Sequence, residues 1–320
     1  MNPSHTIVTG GAGFIGSHLV ERLLDQSKQV VVIDNLSTGT LENLNRCRNH
    51  PNLKILPHAV STCPGLEDLV KRAECIYHLA AAVGVELVVK SPIRTIRTNL
   101  EETEAILEAA GRYGVRTLIT SSSEVYGKST KNLFSENDDL LIGPPHLGRW
   151  SYACSKLMDE FLALAFARER ALPVVLVRLF NIVGPRQTGQ YGMVLPRFIG
   201  AAKKNAPIQV FGNGRQTRCF CLVHDAVEAL MRLQACPAAC GQVFNVGSDH
   251  EISILDLARL VIERLNSLST IEFLPYQVAY APGFEDMLRR KPNLAKLIQT
   301  TGFKPSTPLQ DIIDMTLRQQ

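Results

Sequence analysis

Tyr152 and Lys156 have the residue types and spacing best suited to acid–base chemistry. They are four residues apart in a segment, residues 151–170, whose pattern predicts a long helix, so both side chains leave one face. A tyrosine phenol ordinarily titrates at about 10, and a neighbouring ammonium favours its ionised form. Such a phenolate can take the proton of a substrate hydroxyl while the attached carbon loses a hydride. Alone, however, the two residues would more often form a surface pair, so the surrounding elements must decide.

The N-terminal end of the chain carries a glycine-rich turn that suits a dinucleotide. A short apolar run ends in Gly10, Gly13 and Gly16, and a helical pattern begins at once with Phe14 and Ile15. The three glycines permit a tight turn, close approach of the backbone to a pyrophosphate, and close packing of helix on strand. The helix N-terminus then offers free N–H groups and a positive dipole end. We therefore expect all five residues at a bound dinucleotide.

An acidic residue after the second apolar run selects the cofactor. Asp34 lies 18 residues after Gly16, close to the roughly 20 expected for a carboxylate that binds both ribose hydroxyls. This carboxylate would repel the 2′-phosphate of NADP, so we expect NAD. Asn35 and Ser37 belong to the loop that follows, which we expect to cover the adenosine.

A later apolar run, residues 75–82, predicts another strand of the same sheet. It ends in Leu79, Ala80 and Ala81, which would let the backbone lie against the cofactor. The cationic nicotinamide ring would then add its charge to that of the lysine ammonium. Together they are expected to lower the pKa of Tyr152 toward the working pH.

The alternation of apolar runs and helical patterns predicts an α/β protein with a Rossmann-type, doubly wound parallel sheet. We expect an NAD-binding domain formed by residues 1–180 and about 221–250. A smaller C-terminal α/β substrate-binding domain would comprise residues from about 181–220 and 251–320. Ligands of such sheets sit at the carboxyl ends of the strands. Further strands are predicted at residues 30–33, 54–56, 116–120, 174–179 and 243–247, and helices at 94–110, 151–170, 223–233 and 254–265.

Composition excludes several classes of protein. The chain has 320 residues, 45% of them apolar, enough for a sizeable core. Its net charge is only +4 and the signs are interspersed, so nucleic acid is not an expected partner. No apolar run approaches the ~20 residues that span a bilayer, and no signal-peptide pattern is present, so we expect a cytoplasmic protein with no membrane partner. The eight cysteines lack zinc-ligand spacing, which predicts reduced thiols and no metal site.

Several motifs together resemble the extended short-chain dehydrogenase/reductases that act on nucleotide sugars. The resemblance covers essentially the whole chain and implies a UDP-sugar substrate and a tightly bound NAD that is reduced and reoxidised in each cycle. One position departs from the family pattern, because Ala59 stands where an aspartate usually contacts the adenine. The matching segments are residues 10–16, 34–37, 78–81, 122–127, 152–156, 178–186, 216–218, 244–247 and 290–292.

The resemblance also implies roles for individual residues. Ser122 would hydrogen-bond the reacting hydroxyl and complete a triad with the tyrosine and lysine, and Asn99 would assist the lysine through a water at the cofactor. Asn181 and Arg218 would hold the sugar and the diphosphate, and Arg186 lies in another substrate-binding motif. The planar fork of an arginine donates two parallel hydrogen bonds, which suits a diphosphate.

Two short segments favour one reaction within this family. Residues 122–124 read Ser-Ser-Glu and residues 290–292 read Arg-Lys-Pro, a pairing that most resembles the UDP-glucuronate decarboxylases, which produce UDP-xylose. Oxidation of glucuronate at C4 gives a β-keto acid that loses carbon dioxide through an enolate. Arg290 could stabilise that charge, and Glu124 or Ser123 could take part in protonating C5.

Three other functions remain open. A UDP-sugar 4-epimerase acting on UDP-glucose or UDP-glucuronate has no need of Glu124 but needs room for the keto sugar to rotate, which the loop 184–193 could shape. A 4,6-dehydratase is disfavoured because Ser123 is not an acid. A non-catalytic NAD-binding regulator usually lacks the Tyr152–Lys156 pair. Substrate-dependent reduction of bound NAD would separate the enzymes from the regulator.

Two helices predict how the chain associates. The segments 94–110 and 151–170 carry apolar residues on more than one face, and the second of them includes Phe161, Leu162 and Leu164. The resemblance implies a homodimer in which these two helices from each subunit form a four-helix bundle. The alternative is that both faces are buried within one chain.

Overall fold

The computed structural model describes residues 4–82, 91–189, 193–275 and 287–318. Within them, the strands divide between one large sheet and several small ones. The bounds are β1 His5–Thr9, β2 Val30–Ile33, β3 Leu53–Leu56, β4 Ala73–His78, β5 Thr117–Ser122, β6 Val174–Leu179, β7 Ile182–Val183, β8 Ile208–Phe211, β9 Thr217–Cys219, β10 Cys221–Leu222, β11 Gln242–Val246, β12 Glu251–Ser253 and β13 Ile271–Leu274.

The helices alternate with the strands through most of the chain. Their bounds are α1 Phe14–Asp25, α2 Leu66–Lys71, α3 Pro92–Tyr113, α4 Trp150–Glu169, α5 Val194–Lys203, α6 Val223–Ala235, α7 Ile254–Leu265, α8 Ala295–Thr301 and α9 Leu309–Leu317. Ser253 caps α7, where its Oγ accepts a 3.0 Å hydrogen bond from the backbone N–H of Asp256. The bounds of α7 confirm the helix predicted at 254–265.

The large sheet has seven parallel strands in the order β3-β2-β1-β4-β5-β6-β11. Neighbouring residues of one strand belong to opposite hydrophobic cores: Val8 lies in the core on one face, and Ile7 in the core on the other. Leu118 and Ile119 divide in the same way. A sheet buried on both faces explains the continuous apolar runs and confirms the Rossmann-type class.

Small sheets follow in the C-terminal third. Strands β8 and β13 pair in parallel, β9 and β12 antiparallel, and β7 and β10 in parallel. They bring residues after β6 and before α7 over the carboxyl edge of the large sheet. The predicted boundary between two domains stays a prediction.

Some predicted boundaries were wrong. The strand predicted at 75–82 is Ala73–His78, so residues 79–81 leave the sheet and line the cavity described below. The helices predicted at 94–110 and 151–170 are Pro92–Tyr113 and Trp150–Glu169. All eight cysteines are free. None of the helices in the described ranges has both the length and the apolar character to cross a membrane.

Candidate active site

The glycine-rich turn after β1, residues 10–16, is closely packed, and we call it the cradle. Gly10 has a φ of +68°, and a Cβ there would lie 2.8 Å from the backbone nitrogen of Ala80. A Cβ on Gly16 would lie 2.1 Å from the carbonyl oxygen of Gly10. No side chain caps α1 at Gly13, so the N–H groups of its first turn are available to an anion.

Asp34 follows β2 and is fixed by backbone donors. Its Oδ2 accepts a 2.8 Å hydrogen bond from the N–H of Ala12, and its Oδ1 accepts one of 2.8 Å from the N–H of Leu36. Burial raises the pKa of Asp34, and the two N–H donors oppose that shift. The side chain lines the cavity, as does Ala59, the residue that stands where the family pattern has an acid.

One cavity of about 530 Å³ runs from the cradle into the C-terminal third. It opens along the carboxyl ends of β1, β2, β4, β5 and β6, the edge where parallel sheets bind ligands. The structure places all but one of the predicted site residues on its wall. They are Gly10, Gly13, Phe14, Ile15, Gly16, Asp34, Asn35, Ser37, Leu79, Ala80, Ala81, Ser122, Ser123, Glu124, Tyr152, Lys156, Asn181, Arg186, Arg218 and Arg290.

Tyr152 and Lys156 share one face of α4, as their spacing predicts. The Ser122 hydroxyl, at the end of β5, is a hydrogen-bond partner of the Tyr152 phenol. The side chain of Lys156 is only 2% exposed, and its Nζ donates a 2.8 Å hydrogen bond to Asp159 Oδ2. The three predicted triad members are therefore neighbours at the cavity wall.

The pKa of Tyr152 in the chain alone is set mainly by burial. Burial raises its pKa above the ordinary value, and the ammonium of Lys156 opposes this shift without outweighing it. The predicted lowering of this pKa counted the charge of a bound nicotinamide together with that of Lys156, so it stays a prediction for the protein with NAD bound. In the chain alone, desolvation of the phenol is the larger effect. A lowered pKa would require a further positive charge in the cavity.

Glu124 lies between two arginines. Arg149 Nη2 donates a 3.0 Å hydrogen bond to its Oε2, and Arg290 Nη2 donates one to its Oε1. Burial opposes ionisation, yet the arginines, with a further contribution from Arg218, lower the pKa of Glu124 to about 2. In the chain alone Glu124 is therefore a carboxylate with no proton to donate near neutral pH.

The predicted substrate-binding residues meet at the other end of the cavity. Asn181 has a φ of +37° and its Nδ2 donates a 3.2 Å hydrogen bond to the carbonyl of Cys219. Arg218 donates hydrogen bonds of 2.7 Å and 2.8 Å to the carbonyls of Thr217 and Met287. These bonds hold an amide and a guanidinium in fixed positions on the wall. Residues 190–192 of the predicted pocket-shaping loop lie outside the described residues.

Arg186 also lines the cavity, but its charge is engaged by the first helix. Its Nη2 donates hydrogen bonds of 2.6 Å and 2.7 Å to the two carboxylate oxygens of Glu21, and its Nη1 donates one of 3.2 Å to Ser17 Oγ. The residue thus ties the segment after β7 to α1. Direct binding of substrate by Arg186 stays a prediction.

Asn99 is the predicted site residue that the structure does not bring to the cavity wall. Its Oδ1 accepts a 2.7 Å hydrogen bond from the N–H of Ala82, and its Nδ2 donates one of 2.9 Å to Ser155 Oγ. The side chain is fully buried. Both ends of the amide are hydrogen-bonded inside the protein, where they link the segment after β4 to α4, and its predicted role beside the lysine and a water stays a prediction.

Sequence reasoning missed two charged residues of the site. Arg149, at the start of α4, lies three residues before Tyr152, and Asp159 lies three residues after Lys156. Both separations are close to one helical turn, so a search for charged residues on the face of Tyr152 would have found them. What that search could not show is that both are paired and largely buried.

The residues at the first end of the cavity fit NAD. The cradle has no room for a Cβ at Gly10 or Gly16, as expected where backbone must approach a pyrophosphate. Asp34 presents an anchored carboxylate acceptor, the group that binds ribose hydroxyls. Gly13 and the first turn of α1 would receive the diphosphate.

Comparison with known proteins agrees with this geometry. The model of the NAD dependent epimerase/dehydratase family matches residues 6–247, so the chain belongs to this family, whose members use NAD. A UDP-N-acetyl-alpha-D-glucosaminuronate decarboxylase of Bacillus cytotoxicus is 38% identical over 313 residues, which are 98% of this chain and 96% of that protein. The UDP-glucuronic acid decarboxylase 4 of Arabidopsis thaliana is 35% identical over 98% of this chain and 67% of its own length.

A solved structure has the same fold and contains both a nucleotide sugar and NAD. The UDP-glucuronic acid 4-epimerase of Bacillus cereus, in complex with UDP-glucuronic acid and NAD, superposes with a TM-score of 0.88. The two chains are 25% identical, and the match covers 98% of each. The family of nucleotide-sugar enzymes is thereby shown, and it includes both decarboxylases and epimerases.

Proposed function

We propose that this chain is an NAD-dependent decarboxylase of a UDP-hexuronic acid, with UDP-glucuronate as substrate and UDP-xylose as product. The observation that carries the proposal is the position of Glu124 between Arg149 and Arg290. The guanidinium group of Arg218 also acts on this carboxylate. Guanidinium groups on the cavity wall suit a ligand that brings a carboxylate of its own.

The residues of α4 and β5 would carry out the oxidation at C4. Tyr152 accepts the proton of the C4 hydroxyl, while Ser122 holds that hydroxyl and Lys156 stabilises the phenolate. The chemistry that bound NAD supplies is reversible hydride acceptance at C4, so the cofactor is tightly held and regenerated in each cycle. The final step returns the proton from Tyr152 to the oxygen of the decarboxylated sugar.

The arginines would serve the middle of the cycle. A 4-keto-hexuronate releases carbon dioxide when the bond between C5 and the carboxylate carbon breaks. The electron pair of that bond stays on the sugar, which becomes an enolate. Arg290 and Arg149 would hold the carboxylate and stabilise the enolate. When the substrate carboxylate shares the arginines, its charge raises the pKa of Glu124. Glu124 can then take up a proton from solvent and pass it to C5.

A UDP-sugar 4-epimerase is the second candidate, because the superposed structure from Bacillus cereus is one. Incubation with UDP-glucuronate, UDP-N-acetylglucosaminuronate and UDP-glucose, followed by NMR of the products, separates the two. Release of carbon dioxide with a UDP-pentose supports the decarboxylase. Formation of UDP-galacturonate or UDP-galactose supports the epimerase and overturns our proposal.

We also propose that the protein is a homodimer through α3 and α4, as the family resemblance implies. Apolar side chains on these helices remain exposed in one chain: Ile93 is 70% exposed, Phe161 59% and Met158 50%. Ile93 and Ile96 are one turn apart on α3, and Met158 and Phe161 are one turn apart on α4. A second copy of these two helices would cover this face.

Cytoplasmic localisation stays a prediction from the sequence.

A further inference from the structure

Asp159 is a buried acid that the proposed reaction does not use. It lies one helical turn after Lys156 on α4, and its Oδ2 accepts a 2.8 Å hydrogen bond from the lysine Nζ. The two side chains are 0% and 2% exposed, respectively. A charged pair so far from solvent needs precise geometry to be stable, and here one member of the pair is the lysine beneath Tyr152.

The pair is connected to the cofactor end of the cavity through buried polar side chains. Thr103 on α3 faces the carboxyl group of Asp159, and its Oγ1 lies 3.2 Å from His78 Nε2. His78 Nδ1 lies 2.8 Å from Thr9 Oγ1, which accepts a 3.2 Å hydrogen bond from the N–H of Ala80. Asp159 is therefore held from α3, β4 and β1, and not by α4 alone.

We propose that Asp159 is a positioning residue for the oxidation step: its carboxylate fixes the Lys156 ammonium beneath the Tyr152 phenol and moderates the positive field there. The inference rests on the proposed use of Tyr152 as the base at C4. It does not depend on which UDP-sugar is oxidised, nor on the fate of the keto sugar.

The other titratable groups near the Lys156–Asp159 pair are either neutral or paired with an opposite charge, so we assign the effect on Tyr152 to Asp159. Glu160, on the same helix, forms an ion pair of 2.7 Å with Arg178 of β6, so their charges largely cancel. Burial lowers the pKa of His78 on β4 to about 3, which leaves it neutral. On the far side of Tyr152, the charge of Glu124 is met by its arginines.

The sign of the effect follows from electrostatics. Burial lowers the pKa of Lys156, and the carboxylate of Asp159 reverses that shift, so the lysine stays charged. The same carboxylate raises the pKa of Tyr152, which burial has already raised and Lys156 lowers. Removing one negative charge therefore lowers the pKa of both groups. The variant Asp159→Asn should move the whole pH profile of C4 oxidation toward lower pH.

The direct test is a titration of the phenolate by near-ultraviolet difference absorbance, on the NAD-saturated protein without substrate. Tyr152→Phe identifies which part of the signal belongs to Tyr152. We expect the midpoint in Asp159→Asn to fall by about one pH unit, a shift that corresponds to about 1.4 kcal/mol. The matched control is Glu108→Gln, which removes a carboxylate of α3 from an exposed ion pair with Arg170, the residue that follows α4, and should leave the midpoint unchanged.

A second pair of variants keeps the test valid if Asp159→Asn does not fold. Lys156→Met leaves Asp159 unpaired, whereas Lys156→Met/Asp159→Asn replaces the pair by two neutral side chains. If Asp159 acts on the phenol, the midpoint is higher in the single variant than in the double variant. Equal midpoints in these two, or an unchanged or higher midpoint in a folded Asp159→Asn, would overturn the proposal.

These outcomes are independent of the substrate assignment. If NMR identifies an epimerase while Asp159→Asn lowers the midpoint, the proposed function fails and the role of Asp159 stands. If carbon dioxide is released but the midpoint does not move, the reverse holds.

Discussion

At the scale of single residues, the protonation of Glu124 is the feature on which the proposed decarboxylation depends. The carboxylate is bound by Arg149 and Arg290, and its pKa is about 2 in the chain alone. It becomes an acid only when another anion competes for those arginines. The carboxylate of a hexuronate would bring such an anion beside Glu124, whereas a UDP-sugar with an uncharged sugar ring carries its negative charge only on the diphosphate.

We expect Glu124→Gln to uncouple the two halves of the cycle. The amide cannot donate a proton to C5 as an acid does, so formation of the UDP-pentose should fall roughly 100-fold or more, whereas C4 oxidation should continue. Single-turnover absorbance of reduced nicotinamide measures the oxidation, and NMR of the UDP-pentose measures the step that needs the C5 proton.

The matched control is Glu67→Gln, which removes the same charge from an exposed ion pair with Arg112 on the surface. It should leave both steps intact. Undiminished formation of the UDP-pentose by Glu124→Gln would show that another group protonates C5.

At the scale of elements, two contacts fix the positions of the reacting groups: one between α4 and the large sheet, and one between the glycine-rich turn and the segment after β4. Helix α4 is anchored by Glu160, which receives hydrogen bonds from Arg178 of β6 and from Ser121 of β5. The glycine-rich turn fits against the segment after β4 with no space for a side chain at Gly10. The first contact positions the base, and the second positions the cradle.

Gly16→Ala should damage the cradle and destabilise the fold. Its Cβ would lie 2.1 Å from a carbonyl oxygen, and forced overpacking of this kind costs about 1–3 kcal/mol. Urea unfolding measures the free energy of unfolding, and calorimetry measures the loss of NAD affinity.

Gly200→Ala provides the comparison, because nothing lies within 4 Å of a Cβ at that position within α5. Helix propensity predicts a gain of up to about 1 kcal/mol there. If Gly16→Ala bound NAD and unfolded like the wild type, the packing argument for the cradle would be wrong.

At the scale of the whole molecule, the sheet brings the site residues to one edge, and helices α3 and α4 carry apolar side chains that are exposed in the described part of the chain. Phe161→Glu places a charge among the side chains of the proposed dimer interface and should give a monomer by light scattering. The control Leu268→Glu, at an apolar residue 84% exposed elsewhere, should leave the association state unchanged. A wild-type monomer would exclude the proposed dimer.

Acid should weaken the folded state before its carboxylates protonate. Burial lowers the pKa of His18 to about 4 and that of His78 to about 3, whereas the unfolded chain titrates at about 6.5. Below that pH the unfolded state binds the extra protons. Each histidine should therefore remove about 1.4 kcal/mol of stability per pH unit, down to its own folded pKa.

Urea unfolding at several pH values from about 7 down to about 4 measures this slope, because the loss of stability begins below the pKa of a histidine in the unfolded chain, about 6.5. His18→Gln should reduce the slope by the contribution of one proton, about 1.4 kcal/mol per pH unit. The comparison is His250→Gln, at a side chain 74% exposed, which should leave the slope unchanged. Equal slopes in the wild type and His18→Gln would remove His18 as a cause.

Much of the site follows from local sequence. A parallel sheet buried on both faces needs continuous apolar runs, a phosphate cradle needs glycine, and a helical spacing of four places Tyr152 above Lys156. Asp34 was predictable because it ends a strand at a fixed distance from the glycine-rich turn. Each of these is a rule of local geometry, which a single stretch of chain can satisfy.

Only the tertiary structure decided the charges and the burial. Glu124 and Arg290 are 166 residues apart along the chain, so the carboxylate state of Glu124 depends on a contact that no local pattern encodes. Asn99 turns both ends of its amide into the protein, and Asp159 pairs with Lys156 away from solvent. Desolvation is a property of the packed molecule, and for this reason the raised pKa of Tyr152 could not be read from its neighbours in the sequence.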